Sequence, residues 1–296
     1  MTTLLEDRIH ASLSAPVDPA VSAFAAQLGQ AADALAALFY GSNLRTGSLD
    51  GVLDFYVLLP GPVERGLWPR VSYHERAHGG VTLRAKVATM TLATFAAAAS
   101  GETLDTTIWA RFVQPSALAW VRDPQQSNAV VQAIAAAAIT AARYAVALGP
   151  PAGTADAYWG ALFRATYRAE FRVEKPGREK DILGVNRAHF AGLLPVALDA
   201  AGLDCTRKGD TLLPHMGSSE RTALRRAWAR RARLGKAYNL VRLVRASTTF
   251  HGAARYAAWK IERHTGVPVA LTPWRERHPV LAAPGVLWRV WRARRS

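Results

Sequence analysis

The residues of this chain best suited to chemistry are a small turn, Gly41-Ser42, and an aspartate, Asp54, separated from Ser42 by eleven residues. Each lies at the end of an apolar run. A Gly-Ser turn offers backbone N–H groups to a polyphosphate, and a hairpin would bring the carboxylate of the next strand to the same phosphates, where it could hold magnesium. The chemistry would be transfer of a nucleotidyl group, assisted by a metal. Two residues on, facing the same way along a strand, stands Tyr56 rather than a second carboxylate. A further metal ligand is then missing or supplied from elsewhere, with Asp50 and Glu170 as the candidates. A plainer reading of Asp54 is a charge at a strand edge. The histidines show no metal-ligand spacing, and no serine sits in a nucleophile-elbow context. One cysteine, Cys205, excludes a disulfide framework and any cysteine-based zinc or iron–sulfur site.

Such a site needs two paired strands. The short runs 34–40 and 52–59, aromatic and branched on either side of a Gly/Ser/Asn/Asp-rich turn, predict them. Asp18-Pro19 followed by Val21, Phe24, Ala25 and Leu28 predicts a capped helix before the first strand. A helix over 90–99 is expected between a third strand, 81–87, and a segment at 113–121 interrupted by Pro115. From 127 the pattern turns mainly helical. The alanine-rich stretch 129–149 approaches membrane-spanning length but carries Gln132, Thr140 and Arg143, so it reads as a buried helix capped by Asn128 and ended by Gly149-Pro150-Pro151. A charged extended segment is expected over 166–175 and a turn at 176–177.

With 296 residues, 50% hydrophobic and 20% charged, the chain is long enough for a large core and is neither disordered nor coiled-coil in composition. The net charge of +15 is lopsided: positions 207–296 hold 20 Lys/Arg against 4 Asp/Glu, whereas 1–206 hold 17 against 18. A block so rich in arginine asks for a polyanion, either nucleic-acid phosphates or anionic lipid headgroups. The first residues lack the positive start and apolar run of a secretory signal and the composition of a transit peptide.

The segments YGSNLRTGSLDGVLDFYVLLPG, LRAKVATMTL, TIWARFVQPSALAWVRD, ATYRAEFRVEKPGREKDILGVNRAHFAGLLP and FHGAARYAAWKIERH run in an order that resembles the mitochondrial translocator assembly and maintenance family, the soluble-type phosphatidate cytidylyltransferases. The resemblance covers roughly 38–264. It implies an α/β (α+β) chain: a polymerase-beta-type nucleotidyltransferase domain over 1–126, a mainly helical, winged-helix-like domain over 127–246 and a basic amphipathic C-terminal region over 247–296. The activity implied is the conversion of CTP and phosphatidate to CDP-diacylglycerol and pyrophosphate with magnesium. Tyr40-Gly41-Ser42 is similar to the family's phosphate-gripping turn and Asp54-Phe55 to its metal-binding strand. Arg111 stands at an arginine of the family, and Tyr167, Glu170 and Arg172 stand at its tyrosine, aspartate and arginine. Arg255-Tyr256 and Lys260 resemble its last helix. The resemblance thus implies Asp54, Ser42, Glu170 and Arg172 as catalytic residues, with Tyr40, Gly41, Ser42, Arg111, Tyr167 and Lys180 around the nucleotide. It ranks Glu170 ahead of Asp50 as Asp54's partner on the metal. Arg111, Arg172 and Lys180 also read as ordinary solvated charges, and Tyr167 as a core aromatic. The chain departs from the family in Ser72-Tyr73-His74, which stands in another order, and in Ala85-Lys86, which replaces a tyrosine-glycine.

A lipid acceptor requires contact with a bilayer. In VLWRVWRARR, Leu287, Trp288 and Trp291 can share one helical face beside Arg289, Arg292 and Arg295, the pattern of an interfacial helix. A helix packed on the protein with a solvated basic face fits the same residues. The expected partners are CTP, phosphatidate and an anionic membrane surface, with no obligatory nucleic acid. The expected place is the inner face of a bacterial cytoplasmic membrane, as a peripheral protein. Arg225, Arg226, Arg230, Arg231 and Arg233 sustain the rival readings: a nucleic-acid-binding protein with an inactive nucleotidyltransferase fold, or a nucleotidyltransferase acting on RNA or a small molecule.

Overall fold

The computed structural model describes residues 3–66, 70–169, 178–249, 252–277 and 279–293. Two helices open the chain, α1 (Leu4–Leu13) and α2 (Pro19–Ala31). Asp18 accepts from the Ala20 N–H with proline at the first helical position, as expected of that dipeptide. Strand β1 (Ala36–Tyr40), the short helix α3 (Ser42–Thr46) and β2 (Leu53–Leu59) follow. Then come β3 (Arg70–His78), β4 (Val81–Thr91), α4 (Leu92–Ala99), α5 (Thr107–Phe112) and β5 (Ser116–Val121).

These strands form one mixed sheet in the order β3-β4-β2-β1-β5, in which only β2 and β4 run parallel. The chain is therefore mixed α/β. Both strands expected around the Gly41-Ser42 turn are present and paired, but β3 is absent from the sequence expectation. Alternation along the strands divides the sheet into two buried faces. Phe39, Phe55, Val57 and Val87 pack on Phe24, Ala25 and Leu28 of α2. Leu38, Tyr56, Leu58 and Met90 face the other way, into a larger core.

That larger core is completed by α6 (Pro124–Leu148), α7 (Ala155–Ala169), α8 (Arg178–Val185), α9 (Arg187–Phe190) and α10 (Leu193–Ala200). Helix α6 is the one described helix long and apolar enough to cross a membrane, and most of it is buried inside the protein. Its cap is Asp123, which accepts from the Gln126 N–H, with Pro124 at the first helical position; Asn128 lies inside the helix. Residues 166–169, expected to be extended, end α7 instead, and 170–177 lie outside the described residues. A hairpin, β6 (Cys205–Lys208) and β7 (Thr211–Pro214), precedes the long helix α11 (Ser218–Thr249). The chain continues through α12 (Ala253–Thr265), α13 (Pro273–Arg277) and α14 (Pro279–Ala293).

Candidate active site

Strand register alone lines up a row of side chains across the sheet. Tyr40 pairs with Ser116 on β5 and with Asp54 on β2, Asp54 with Lys86 on β4, and Lys86 with Tyr73 on β3. Directly paired residues point to the same face, so all five share the face of the larger core, one row beyond Tyr56 and Ala88. The row lies where β1 ends and β2 begins. A carboxylate and an ammonium thus stand side by side where the helical layer stops.

Gly41 makes this approach possible. Its φ is +95°, a conformation that side chains rarely adopt, and a Cβ there would lie 3.1 Å from Asp54 Oδ2. The Gly-Ser turn and the carboxylate, eleven residues apart in sequence, are therefore in contact range in space. Ser42 is exposed and opens α3, while Asn43 behind it donates to the Ser48 and Asp50 carbonyls and fixes the loop.

Arg111 of α5 reaches the same row. Its Nη1 donates to the Tyr56 hydroxyl at 2.9 Å, and its guanidinium lies over the Tyr40 and Tyr56 rings at 5.1 and 5.8 Å. Tyr56, 1% exposed, is thus an anchor for arginine where a second carboxylate was sought. Burial pushes the Asp54 carboxyl above the ordinary carboxylate range, against the opposing pull of Lys86 and Arg111. Burial also lowers Lys86 from the ordinary lysine range; Asp54 opposes that shift, while Arg111 and Lys260 add to it. Lys86 nevertheless keeps its access to solvent. Burial pushes the Tyr40 phenol far up, so it stays neutral.

Helix α12 closes the β3 side. Tyr256 packs on Tyr73 with the rings tilted by 52° and their centroids 5.5 Å apart, and Lys260 lies over the Tyr256 ring at 5.7 Å. Trp259 has Arg84 and Arg263 each 5.3 Å from its ring, and Arg263 pairs with Asp50 at 2.9 Å.

The expected residues divide accordingly. Tyr40, Gly41, Ser42, Asp54 and Arg111 converge. Asp50 is exposed and held by Arg263, and Tyr167 packs half-buried against the larger core. Glu170 and Arg172 lie outside the described residues; Lys180 is on α8, with its side chain outside them. Among the described residues, no three His, Cys, Asp or Glu side chains gather as a metal cluster. Lys86 is the site residue that sequence reasoning missed, noted only as a departure from the family. Within Val81–Thr91, where Arg84 also stands, no local signal sets it apart.

Two of the arginines that sustained the nucleic-acid readings are engaged internally. Arg225 Nε donates to the Ala147 carbonyl at 2.7 Å, and Arg231, 8% exposed, donates to the Tyr144 hydroxyl and to the Gly101 and Thr103 carbonyls. In comparisons with known proteins, no family model matches the chain, and no curated protein matches it.

Proposed function

We propose that the protein is a nucleotidyltransferase that moves a cytidylyl group from CTP to phosphatidate, giving CDP-diacylglycerol and pyrophosphate. The observation that carries this reading is the seating of Asp54 against Gly41, with Lys86 and Arg111 beside it. A turn held in a conformation that side chains rarely adopt, one carboxylate and the Arg111 guanidinium over Tyr40 suit a triphosphate, and the Lys86 side leaves room for a second anion. The polymerase-beta-type domain and the winged-helix-like half belong to the same proposal.

Magnesium fits the donor set to this extent: it is commonly held by one or two carboxylates together with substrate phosphates, and Asp54 supplies one carboxylate. When bound there, the ion would neutralise phosphate charge. The chain's own groups do the remaining work. A phosphate monoester has a second pKa near 6, so the acceptor is largely dianionic at pH 7 and needs no general base. Its oxygen forms the new bond to the α-phosphorus as the bond to the leaving pyrophosphate breaks. Bringing two anions together demands cationic shielding, which Arg111, Lys86 and Lys260 provide.

The lipid part of the reading is supported by the C-terminal helices. Trp274, Leu281 and Trp288 are 55%, 69% and 56% exposed, with Arg277, Arg289 and Arg292 exposed among them. Large apolar side chains beside arginines suit an anionic bilayer surface. The test is to incubate the purified protein with labelled CTP, magnesium and phosphatidate vesicles. Label appearing in a lipid product is the expected result; wild-type protein that labels no lipid, while a known cytidylyltransferase does so in parallel, overturns it.

A further inference from the structure

Asp54 has different neighbours on its two sides. Toward β1 stand Tyr40, Gly41 and Ser42; toward β4 stands Lys86, one strand away, and beyond it Tyr73 with α12 against it. Lys260 of α12 lies 5.7 Å over the ring of Tyr256, which packs on Tyr73, the register partner of Lys86. Two ammonium groups are thus brought together on the side of the carboxylate away from the Gly-Ser turn.

The nearby acidic residues are engaged with other groups. Glu75 accepts from the Tyr73 hydroxyl at 2.8 Å and lies 3.6 Å from Arg84; Asp50 pairs with Arg263, and Glu276 with Arg255 at 2.8 Å. Among the described residues, neither Lys86 nor Lys260 is in an ion pair. Two like charges on neighbouring elements, with Asp54 facing only one of them across the strand pair, leave positive charge for an anion from solution. Both side chains are open to solvent, so an anion can reach them.

We infer that Lys86 and Lys260 form a second anion subsite, distinct from the Gly41-Ser42 turn, which holds the phosphate monoester of the acceptor. This rests on the nucleotidyl-transfer reading for its naming of the acceptor. Direction decides between the two phosphate sources. The donor's triphosphate belongs to the turn on the β1 side, whereas Lys260 sits on the helix that Arg255 ties to α13 through Glu276. That helix leads toward the exposed Trp274, Leu281 and Trp288. A phosphate whose lipid tail remains at the bilayer must enter from that side. Lys86 then stands between the bound phosphate and Asp54, where it offsets the repulsion between the incoming dianion and the carboxylate.

The test uses the full chain and two readouts. Equilibrium binding of dioctanoyl phosphatidate, below its micelle concentration, is measured by calorimetry for wild type, Lys86→Met, Lys86→Arg and Lys260→Met. Steady-state KM is then measured separately for this acceptor and for CTP. Each methionine variant is expected to weaken acceptor binding about 10-fold or more and to raise acceptor KM, with CTP KM within about 2-fold of wild type. Lys86→Arg should recover part of the loss. A rise in CTP KM with unchanged acceptor binding would assign the lysines to the donor and overturn the proposal. Lysine variants that bind and turn over like wild type would overturn it while leaving nucleotidyl transfer intact. Lysine-dependent acceptor binding without any lipid labelling would uphold the subsite and remove the function. Melting curves accompany each variant, and exposed Lys260 supplies a folded case should Lys86→Met fail to fold.

Discussion

Asp54 is held in a place where burial works against its charge. Its folded carboxyl is raised by burial, so ionising it costs the fold free energy even with Lys86 and Arg111 beside it. The sign follows from linkage. Below the ordinary carboxylate pKa, about 3.9, folded and unfolded chains are both protonated and no cost arises; the cost grows as pH rises toward the elevated folded value and is complete above it. Asp54→Asn should therefore melt at a higher temperature than wild type at pH 7, with the gap closing as pH falls toward 4. The same substitution should lower nucleotidyl transfer at least ~100-fold, the scale of losing a main electrostatic contact. Thermal melts across pH 4–7 and turnover at pH 7 check both parts. A gap that widened on acidification would mean that the charge stabilises the fold, and near wild-type turnover would remove Asp54 from the chemistry.

At the scale of elements, the site depends on how α12 meets the edge strand β3. Gly252 precedes α12 with φ +79°, and a Cβ there would lie 2.9 Å from the Tyr73 carbonyl oxygen, a backbone atom with little freedom to move. Gly266 ends the same helix with φ +71°, and a Cβ there would meet nothing within 4 Å. Alanine at either position carries the left-handed penalty of about 1–2 kcal/mol. Only Gly252→Ala must also push the helix from Tyr73, carrying Tyr256 and Lys260 with it. Activity on short-chain phosphatidate should fall about 10-fold or more in Gly252→Ala and stay within about 2-fold of wild type in Gly266→Ala, with the larger loss of melting temperature in Gly252→Ala, which adds the contact with Tyr73 to the shared backbone penalty. Equal activity in both would mean that the seating of α12 does not serve the site. The elements differ in how readable they are from sequence. Strands β1 and β2 are continuous apolar runs, and the Asp18-Pro19 start of α2 is a local signal. The same signal at Asp123-Pro124 marks α6 but is obscured by the polar residues after it, which moved the expected cap to Asn128. Strand β3 is an edge strand in which Tyr73 alone is buried, so it carries no apolar pattern to find. The Asp54–Gly41 pairing follows from hairpin spacing. Lys86 becomes visible only once β4 is known to run beside β2, a parallel pairing that local sequence does not encode.

Across the whole molecule, the positive charge concentrated in the sequence serves two ends. Toward the start of α11 part of it holds the helices together: Arg221 and Arg225 donate to the Val146 and Ala147 carbonyls at the end of α6, and Arg231 ties α11 to the loop after α4, while Arg226, Arg230 and Arg233 are exposed. Toward the C-terminus, Arg277, Arg289 and Arg292 are exposed. In α14, Ala282 and Val286 are buried while Leu281 and Trp288 are exposed, so the helix rests on the protein by one side and leaves apolar groups on another. Removing those groups should separate docking from chemistry. The triple variant Trp274→Ala, Leu281→Ser, Trp288→Ala leaves Ala282 and Val286 in place, so its melting temperature should stay near that of wild type. Its binding to anionic vesicles should weaken at least ~10-fold, since each lost side chain removes on the order of 1.5 kcal/mol of apolar burial at most partly offset by the remaining arginines. Turnover on vesicle-borne phosphatidate should fall with it, and turnover on the short-chain acceptor should hold within about 2-fold. Vesicle sedimentation at low and high salt resolves the apolar share from the charged one, because only the latter is screened. Unchanged vesicle binding in the triple variant would place the lipid contact on another surface, and loss of short-chain turnover would mean that α13 and α14 support the cleft itself.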